Sequence, residues 1–320
     1  QRKPRNLARL KYNGGGPTLG SPFVFVMKGN FMELKRRIRL SLEEKKQCEQ
    51  LVRACHQIDH TYRLPYLDNL YNADPTMPAF ILALVEEQLV GFLSIYADEP
   101  KEAEVQLFVT PSFRRQGIAR SLWEDFMDLA KDYQLEERLY VSEVRFLDQN
   151  TDLLNHFHLV EAEEEDHELW LEAPCQVTDH EKREGMMVLE AVESMLQEIA
   201  HFQSKAFETD LDYALKYATE SLEGLDTRLF VLRDQEQVLA SVTVDLSQGT
   251  TYFFGLAVDP DHLRKGYARY LLRSVMNQMA AEVEQQFQIV VEKENQAALS
   301  LYLGLGFTIQ TEVLYLTESR

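Results

Sequence analysis

One short pattern occurs twice, and its repetition constrains this chain more than any other feature. Val105-Gln106-Leu107-Phe108-Val109 reads as a strand, followed by Thr110-Pro111 and then Arg114-Arg115-Gln116-Gly117-Ile118-Ala119-Arg120. Phe253-Phe254-Gly255-Leu256-Ala257-Val258 is followed by Asp259-Pro260 and then Leu263-Arg264-Lys265-Gly266-Tyr267-Ala268-Arg269. The two glycines lie 149 positions apart, close to half of the residues from Met32 onward. Self-similarity at such a period marks one structural unit written twice.

The flanking sequence repeats as well. Ala119, Leu122, Trp123, Phe126, Met127 and Ala130 follow 3-4 spacing, as do Ala268, Leu271, Leu272, Val275, Met276, Met279, Ala280 and Val283. Each set is the buried stripe of a helix that begins at the glycine. Hairpin patterns precede the central strands, Phe80 to Val85 with Leu89 to Tyr96, and Arg228 to Leu232 with Val238 to Leu246. Helical stretches lie upstream of them, Glu43 to Ile58 and Val192 to Ala206, and further strands downstream, Arg138 to Val144 and Phe287 to Glu292. The order β-α-ββ-β-α-β-α-β predicts an α/β fold in which each copy is a mixed, mostly antiparallel sheet with helices on both faces. The expected divisions are an N-terminal domain over 32–176, a polar linker over 177–184 and a C-terminal domain over 185–320.

Charge narrows the function. The chain carries a formal charge of −19, yet residues 1–31 hold six basic residues and no acid, which leaves −25 for the remainder. So acidic a body is a poor partner for nucleic acid, because phosphate binding needs a basic surface. The most apolar stretch, Ala79 to Ala97, is broken by Glu86, Glu87 and Gln88, so no membrane span is expected. Residues 1–31 read as a leader or a non-native extension, with Met27 or Met32 as candidate natural starts; the apolar run Phe23 to Met27 is too short for a secretory signal. Cys48, Cys55 and Cys175 form no Cys-x-x-Cys pair, which suits reduced thiols in a cytoplasm. Histidines and acids, His156 and His158 included, never reach a metal-ligand spacing, and no metal is expected. The acidic run from Glu161 to Glu168 reads as a solvated loop.

The repeated loop is built for phosphate. A helix's first N–H groups have no intrahelical partner and, with the helix dipole, attract anions. Glycine lets the backbone approach a phosphate closely, and flanking cations add charge-assisted bonds. A single such hexapeptide is weak evidence, but a second, half a chain later and again between a strand and a striped helix, is not.

With these residues in hand, the chain resembles the GNAT superfamily of N-acetyltransferases. Val109-Thr110-Pro111 with Arg114 to Ala119, and Val258-Asp259-Pro260 with Arg264 to Ala268, look like that family's Q/R-x-x-G-x-G/A acetyl-CoA loop. Asn295-Gln296-Ala297-Ala298-Leu299-Ser300-Leu301-Tyr302-Leu303-Gly304-Leu305-Gly306-Phe307 matches its later N-x-x-A-x-x-L-Y-x-x-x-G-F segment. The resemblance implies two tandem GNAT-like domains with the layout of an internal pseudo-dimer. It also implies splayed central strands, with acetyl-CoA as cosubstrate held by Val109, Arg114, Arg115, Gln116, Gly117, Ile118 and Ala119 in one copy. In the other copy the holding residues would be Leu256, Val258, Arg264, Lys265, Gly266, Tyr267, Ala268 and Asn295.

The same resemblance implies Tyr302 as the acid that assists thiolate departure. In the first copy, counting from Asn150, Phe157 stands at that place and no Gly-Phe follows. Phenylalanine donates no proton, so the C-terminal copy is expected to be the catalytic one and the N-terminal copy divergent. The second loop in turn has Leu263 where Arg or Gln is usual. Tyr252, Glu292 and Asp245, or Glu102 and Glu104 in the first copy, are candidates for a general base, none of them singled out by the sequence. The expected activity is transfer of acetyl from acetyl-CoA to a primary amine of a small molecule by direct attack in a ternary complex. The alternatives are a non-catalytic CoA-binding sensor or scaffold, and a protein or peptide N-acetyltransferase.

Overall fold

The computed structural model describes residues 23–27, 30–69, 72–162, 167–179, 182–235, 237–247, 249–283 and 285–319. The chain runs β1 (Phe23–Met27), β2 (Asn30–Arg37), α1 (Leu42–Asp59), β3 (Phe80–Val85), β4 (Gln88–Tyr96), β5 (Glu102–Val109), α2 (Ile118–Asp132), β6 (Glu137–Glu143), α3 (Val144–Gln149), α4 (Leu153–Phe157) and β7 (Leu159–Glu161). It continues with β8 (Glu168–Ala173), β9 (Met187–Glu190), α5 (Leu196–Ala206), α6 (Leu211–Glu223), β10 (Thr227–Arg233), β11 (Val238–Asp245), β12 (Thr251–Val258), α7 (Tyr267–Glu282), β13 (Phe287–Glu292), α8 (Gln296–Leu303) and β14 (Thr308–Glu318). Two compact units result: the described residues up to 167 with 311–319, and residues 168–310.

In the first unit the strand order is β1-β2-β3-β4-β5-β6-β14, with β7 also on β14. Neighbours are antiparallel except β5 and β6, which run parallel. Parallel neighbours need a crossover, and α2 supplies it. Its Ile118, Leu122, Phe126 and Leu129 are buried with Leu93, Val105 and Tyr140 on one face of the sheet. Helix α1 covers the other face through Cys48, Leu51, Val52 and Cys55, spaced for a single stripe. It starts on a capping box in which Ser41 accepts from the Glu44 N–H and Glu44 from the Ser41 N–H.

The second unit has the order β8-β13-β12-β11-β10-β9, with β12 and β13 parallel and α7 crossing over between them. Leu271, Leu272, Val275, Met276 and Met279 of α7 pack on one face, and Ile199, Phe202 and Ala218 from α5 and α6 on the other. Helix α6 was not expected; its sequence follows a Gly-free polar turn and begins on the Asp210 side chain, which accepts from the Tyr213 N–H.

Three stretches differ from the expected divisions. Strand β8, placed by the sequence in the first domain, pairs with β13 from Phe287↔Ala173 to Glu292↔Glu168, and Leu169, Leu171 and Ala173 are buried in the second unit's core. Strand β14 pairs with β6 from Val313↔Glu143 to Leu316↔Tyr140 and buries Leu314 and Leu316 in the first unit's core. Alternating apolar residues mark each as a half-buried strand but carry no information on which sheet receives it. Part of the expected extension is a strand too: β1 pairs with β2 from Phe23↔Leu34 to Met27↔Asn30, while residues 1–22 and 28–29 lie outside the described residues.

Candidate functional site

The two glycine loops are the same backbone written twice. Thr110 and Asp259 have φ/ψ of −48°/128° and −51°/123°, and Arg114 and Leu263 have −67°/163° and −63°/160°. Arg115 and Arg264 are left-handed at φ 58° and 60°, as are Gly117 and Gly266 at 88° and 75°. Left-handed residues beside right-handed ones turn successive N–H groups to one side, which makes an anion-binding concavity. Helices α2 and α7 start there with no side chain capping them.

Beside each loop the central strands part. Parallel pairing of β5 with β6 ends at Val105↔Tyr140, and that of β12 with β13 at Phe253↔Ile289. In the first unit the opening is a cavity of about 580 Å³. It reaches from Arg114, Arg115 and Gly117–Arg120 along Gln106–Val109 and Val141–Glu143 to Trp123 and Phe157.

Charge in this cavity is distributed differently from the expectation. The Arg114 guanidinium is engaged by the protein itself: Nη1 and Nη2 each donate to Asp59 at 2.6 Å, Nε donates to the Val109 carbonyl at 3.1 Å, and the guanidinium lies 6.0 Å from the Phe146 ring. The Val109 carbonyl also accepts from the Cys55 thiol. Gln116 donates to the Ser112 carbonyl, and the Ile118 side chain is buried, so Ile118 can offer only its N–H. Arg115 and Gly117 are exposed, Ala119 is half-buried, and nothing lies within 4 Å of where a Gly117 Cβ would stand.

Glu143, at the end of β6, is 7% exposed and lines the same cavity. It accepts from the Tyr62 and Arg63 N–H groups and from the Thr311 hydroxyl, and burial raises its carboxyl pKa. These bonds make it a clamp on the turn after α1. Glu104 lies 3.5 Å from Arg63, while Glu102 is exposed.

The second unit keeps the pattern and sets other side chains beside the strand and the loop. Two residues of β12, Gly255 and Leu256, face the single Val242 of β11, because pairing shifts between Ser241↔Ala257 and Thr243↔Phe254. Gly255 is left-handed at φ 61°, and the Tyr217 hydroxyl packs where its Cβ would be. Arg183 donates to the Lys265 carbonyl at 2.8 Å, stacks over Tyr267 and Tyr270, and comes within 2.9 Å of a Gly266 Cβ. It arrives from the expected linker, where Thr178 exchanges backbone hydrogen bonds with the Asn277 side chain of α7; positions 180–181 lie outside the described residues. Arg264 and Lys265 are exposed, and Tyr267, Ala268, Leu256 and Val258 half-buried.

Asn295 caps α8, its side chain accepting from the Ala298 N–H at 3.0 Å. Tyr302 is 6% exposed with its ring 6.1 Å from that of Phe307, and burial pushes its phenol up to about 12. Asp245 accepts from the Ser247 N–H, Glu292 is exposed, and Tyr252 stacks between Trp170 and Phe254. Among the described residues no group of three or more His, Cys, Asp or Glu is placed to hold a metal, and no helix is long and apolar enough to cross a membrane. Of the acidic run, positions 163–166 lie outside the described residues.

Asp59, Gln106, Glu143 and Arg183 were not singled out by the sequence. Asp59, Glu143 and Arg183 acquire their places from partners distant along the chain, and Gln106 from where β5 and β6 stop pairing; no local signal marks any of them.

The sequence profile of the Acetyltransferase (GNAT) family matches residues 45–158 and again 192–307. The chain therefore belongs to the GNAT acetyltransferase family and carries its domain in tandem. Among solved structures it is similar to a GCN5-related N-acetyltransferase from Sphaerobacter thermophilus, at 13% identity and a TM-score of 0.69 over 89% of this chain and 95% of that one. A tandem GNAT protein from the clavulanic acid biosynthesis pathway is similar at 16% identity and a TM-score of 0.61, over 90% of this chain and 98% of its own. A GNAT-family acetyltransferase from Colwellia psychrerythraea has 16% identity and a TM-score of 0.56, over 88% and 98%. At such identities the likeness is one of fold. No curated protein matches the chain.

Proposed function

We propose that the protein transfers acetyl from acetyl-CoA to the primary amine of a small acceptor by direct attack in a ternary complex, with the acyl-CoA seated in the first unit. The observation that carries this reading is the cavity that joins the Gly117 loop to the opening between β5 and β6. At about 580 Å³ it falls within the usual range of ligand pockets, about 300–1,000 Å³. The fit is favourable at both ends: an uncapped helix start with open space above Gly117 suits a diphosphate, and an apolar rear suits the pantetheine arm. In the reaction the amine nitrogen bonds to the thioester carbon and the carbon–sulfur bond breaks. The amine's surplus proton passes through water to the sulfur, leaving an N-acetyl product and CoA thiol.

This seat differs from the C-terminal copy favoured by motif completeness. A second reading rests on Tyr302, two helical turns after the Asn295 cap, whose hydroxyl makes no hydrogen bond among the described residues. On that reading the second unit performs the chemistry, with Tyr302 as the acid.

Ala119→Glu and Ala268→Glu separate the two, since each places a carboxylate at one helix start without left-handed strain. Calorimetric titration with CoA, together with thiol release from acetyl-CoA across a panel of small amines and peptides, is the measurement. The first-unit seat requires Ala119→Glu to abolish binding and Ala268→Glu to spare it. The reverse result moves the seat to the second unit.

A further inference from the structure

The cavity of the first unit does not stop where β5 and β6 part. It continues over the paired ends of the strands, where Val105 pairs with Tyr140 and Tyr140 with Leu316, one buried row across β5, β6 and β14. Leu159 of β7 is buried in the same cluster, and Trp123 and Phe157 pack against it, edge to face at 5.9 Å. All six side chains border the open volume. The second unit carries larger side chains at two of these places. Parallel pairing there ends at Phe253↔Ile289, so Phe253 answers to Val105. Phe307 follows the left-handed Gly306 as Leu159 follows the left-handed His158. Phe253 and Phe307 are both buried and meet edge to face at 6.5 Å. Valine and leucine leave room in their stead. Two residues are larger in the first unit, and neither closes the gap: Tyr140, against Ile289, turns its hydroxyl to Glu318 at 2.6 Å, and Trp123, against Leu272, borders the open volume from a half-buried place.

What this end of the cavity can hold follows from its polar groups. A pantetheine arm carries two amides, and amides leave water only for hydrogen-bond partners. From Gln106 and Val141 onward the main chains of β5 and β6 are released from each other, beside the Gly117 loop, and can serve those amides. Over the row of Val105, Tyr140 and Leu316 the ladders take up the main chain. The polar side-chain atoms there are the Tyr140 hydroxyl, already bonded to Glu318, and the Trp123 N–H beside it. An alkyl chain asks for no partner and gains by leaving water. Phosphate, amide and then hydrocarbon is also the order of groups along an acyl-CoA, from the loop to the deep end. An acetyl methyl touches only a small part of these walls, and an unfilled void leaves the atoms that line it without contacts.

We infer that the first unit takes acyl groups longer than acetyl, a saturated chain lying between the row of Val105, Tyr140 and Leu316 and the pair of Trp123 and Phe157. This rests on the first-unit seat proposed above. The transfer is otherwise as for acetyl. The amine nitrogen bonds to the thioester carbon, the carbon–sulfur bond breaks, and the amine's surplus proton reaches the sulfur through water. The products are an N-acylated amine and CoA thiol.

Calorimetric titration of the full chain with CoA and with acetyl-, butyryl- and hexanoyl-CoA, in the absence of amine, tests this. Each buried methylene should tighten binding about fourfold, so butyryl-CoA should bind about fifteenfold tighter than acetyl-CoA and hexanoyl-CoA tighter still. Leu159→Phe sets the second unit's ring at this place; it should cancel the gain and leave CoA itself within about twofold. Val105→Ile fills the space by one methyl group and should cut the gain by about fourfold. CoA affinity doubles as the check that each variant is folded, and where Leu159→Phe no longer binds CoA, Val105→Ile decides. Butyryl-CoA no tighter than acetyl-CoA on the wild-type chain overturns the assignment, as does a gain that the deciding variant keeps in full. If Ala119→Glu abolishes CoA binding while chain length brings no gain, the acyl pocket alone is wrong. If Ala119→Glu leaves CoA binding intact, the seat itself is wrong, and the acyl pocket falls with it.

Discussion

Replacing Asp59 with asparagine asks whether Arg114 braces the fold or binds phosphate. Its two Nη atoms lie 2.6 Å from the Asp59 carboxylate, whose side chain is 7% exposed against 27% for Arg114. Two unit charges about 4 Å apart attract by about 4 kcal/mol at an effective dielectric of 20, and the cost of desolvating them offsets part of that. Removing one member of a buried pair strands the other, typically at a cost of about 3–5 kcal/mol. Asparagine keeps one acceptor and Arg114 keeps its bond to the Val109 carbonyl, so the expected loss here is about 2–3 kcal/mol. Trp123 and Trp170 are the chain's two tryptophans, one in each unit, so in a Trp170→Phe background Trp123 fluorescence follows the first unit through urea unfolding. Arg114→Gln should cost about as much as Asp59→Asn, and the double variant little more than either, because the pair is lost only once. Its CoA affinity should stay within about twofold of wild type, since a bonded guanidinium has little to offer a phosphate. The reasoning fails if Arg114→Gln leaves the unfolding midpoint in place and weakens CoA by more than about tenfold. Arg114 would then leave Asp59 for the ligand.

Three further outcomes can be checked directly. Burial lowers the His56 pKa despite Glu143 and Asp59 nearby, so the unfolded chain takes up its proton first as pH falls. The first unit should therefore hold its stability above about pH 6.5, the ordinary histidine value, and lose it below; His56→Gln should flatten that limb in urea melts at graded pH. Burial pushes the Cys48 thiol up to about 12 and raises that of Cys55, whereas Cys175 is only half-buried; mass spectrometry after brief iodoacetamide treatment at pH 7.5 should find label first on Cys175. Gly117→Ala adds only left-handed strain, about 1–2 kcal/mol, because nothing lies near its Cβ position. Gly255→Ala should cost clearly more in the same unfolding assay, since the Tyr217 hydroxyl stands in the way.

Much of this protein is legible along the chain because its signals are local. Apolar spacing places α2 and α7, Gly117 and Gly266 mark the loops, and their recurrence divides the chain into two like units. Each of these is written within a few residues, where helix periodicity and glycine's freedom at positive φ act directly. The expected roles of individual charged residues fared differently. Arg114 looks like a phosphate ligand in its hexapeptide, but Asp59, 55 positions earlier, takes its guanidinium, and nothing in either segment announces the other. Arg183 reaches the Gly266 loop from 82 positions away, and Tyr217 fills the space at Gly255 from a helix that the periodicity did not reveal.

Strand exchange teaches the same lesson at larger scale. Alternation identifies β8 and β14 as strands with one buried face, but main-chain hydrogen bonding is the same for every sequence. Which sheet accepts each strand is settled by the core that its buried residues complete, Leu169 and Leu171 in one unit, Leu314 and Leu316 in the other. The fold class, the repeat and the glycine loop thus follow from short-range pattern. Which side chains stand beside each loop, and which are taken up by partners, depend on contacts between residues far apart in the chain, and those exist only once it has folded.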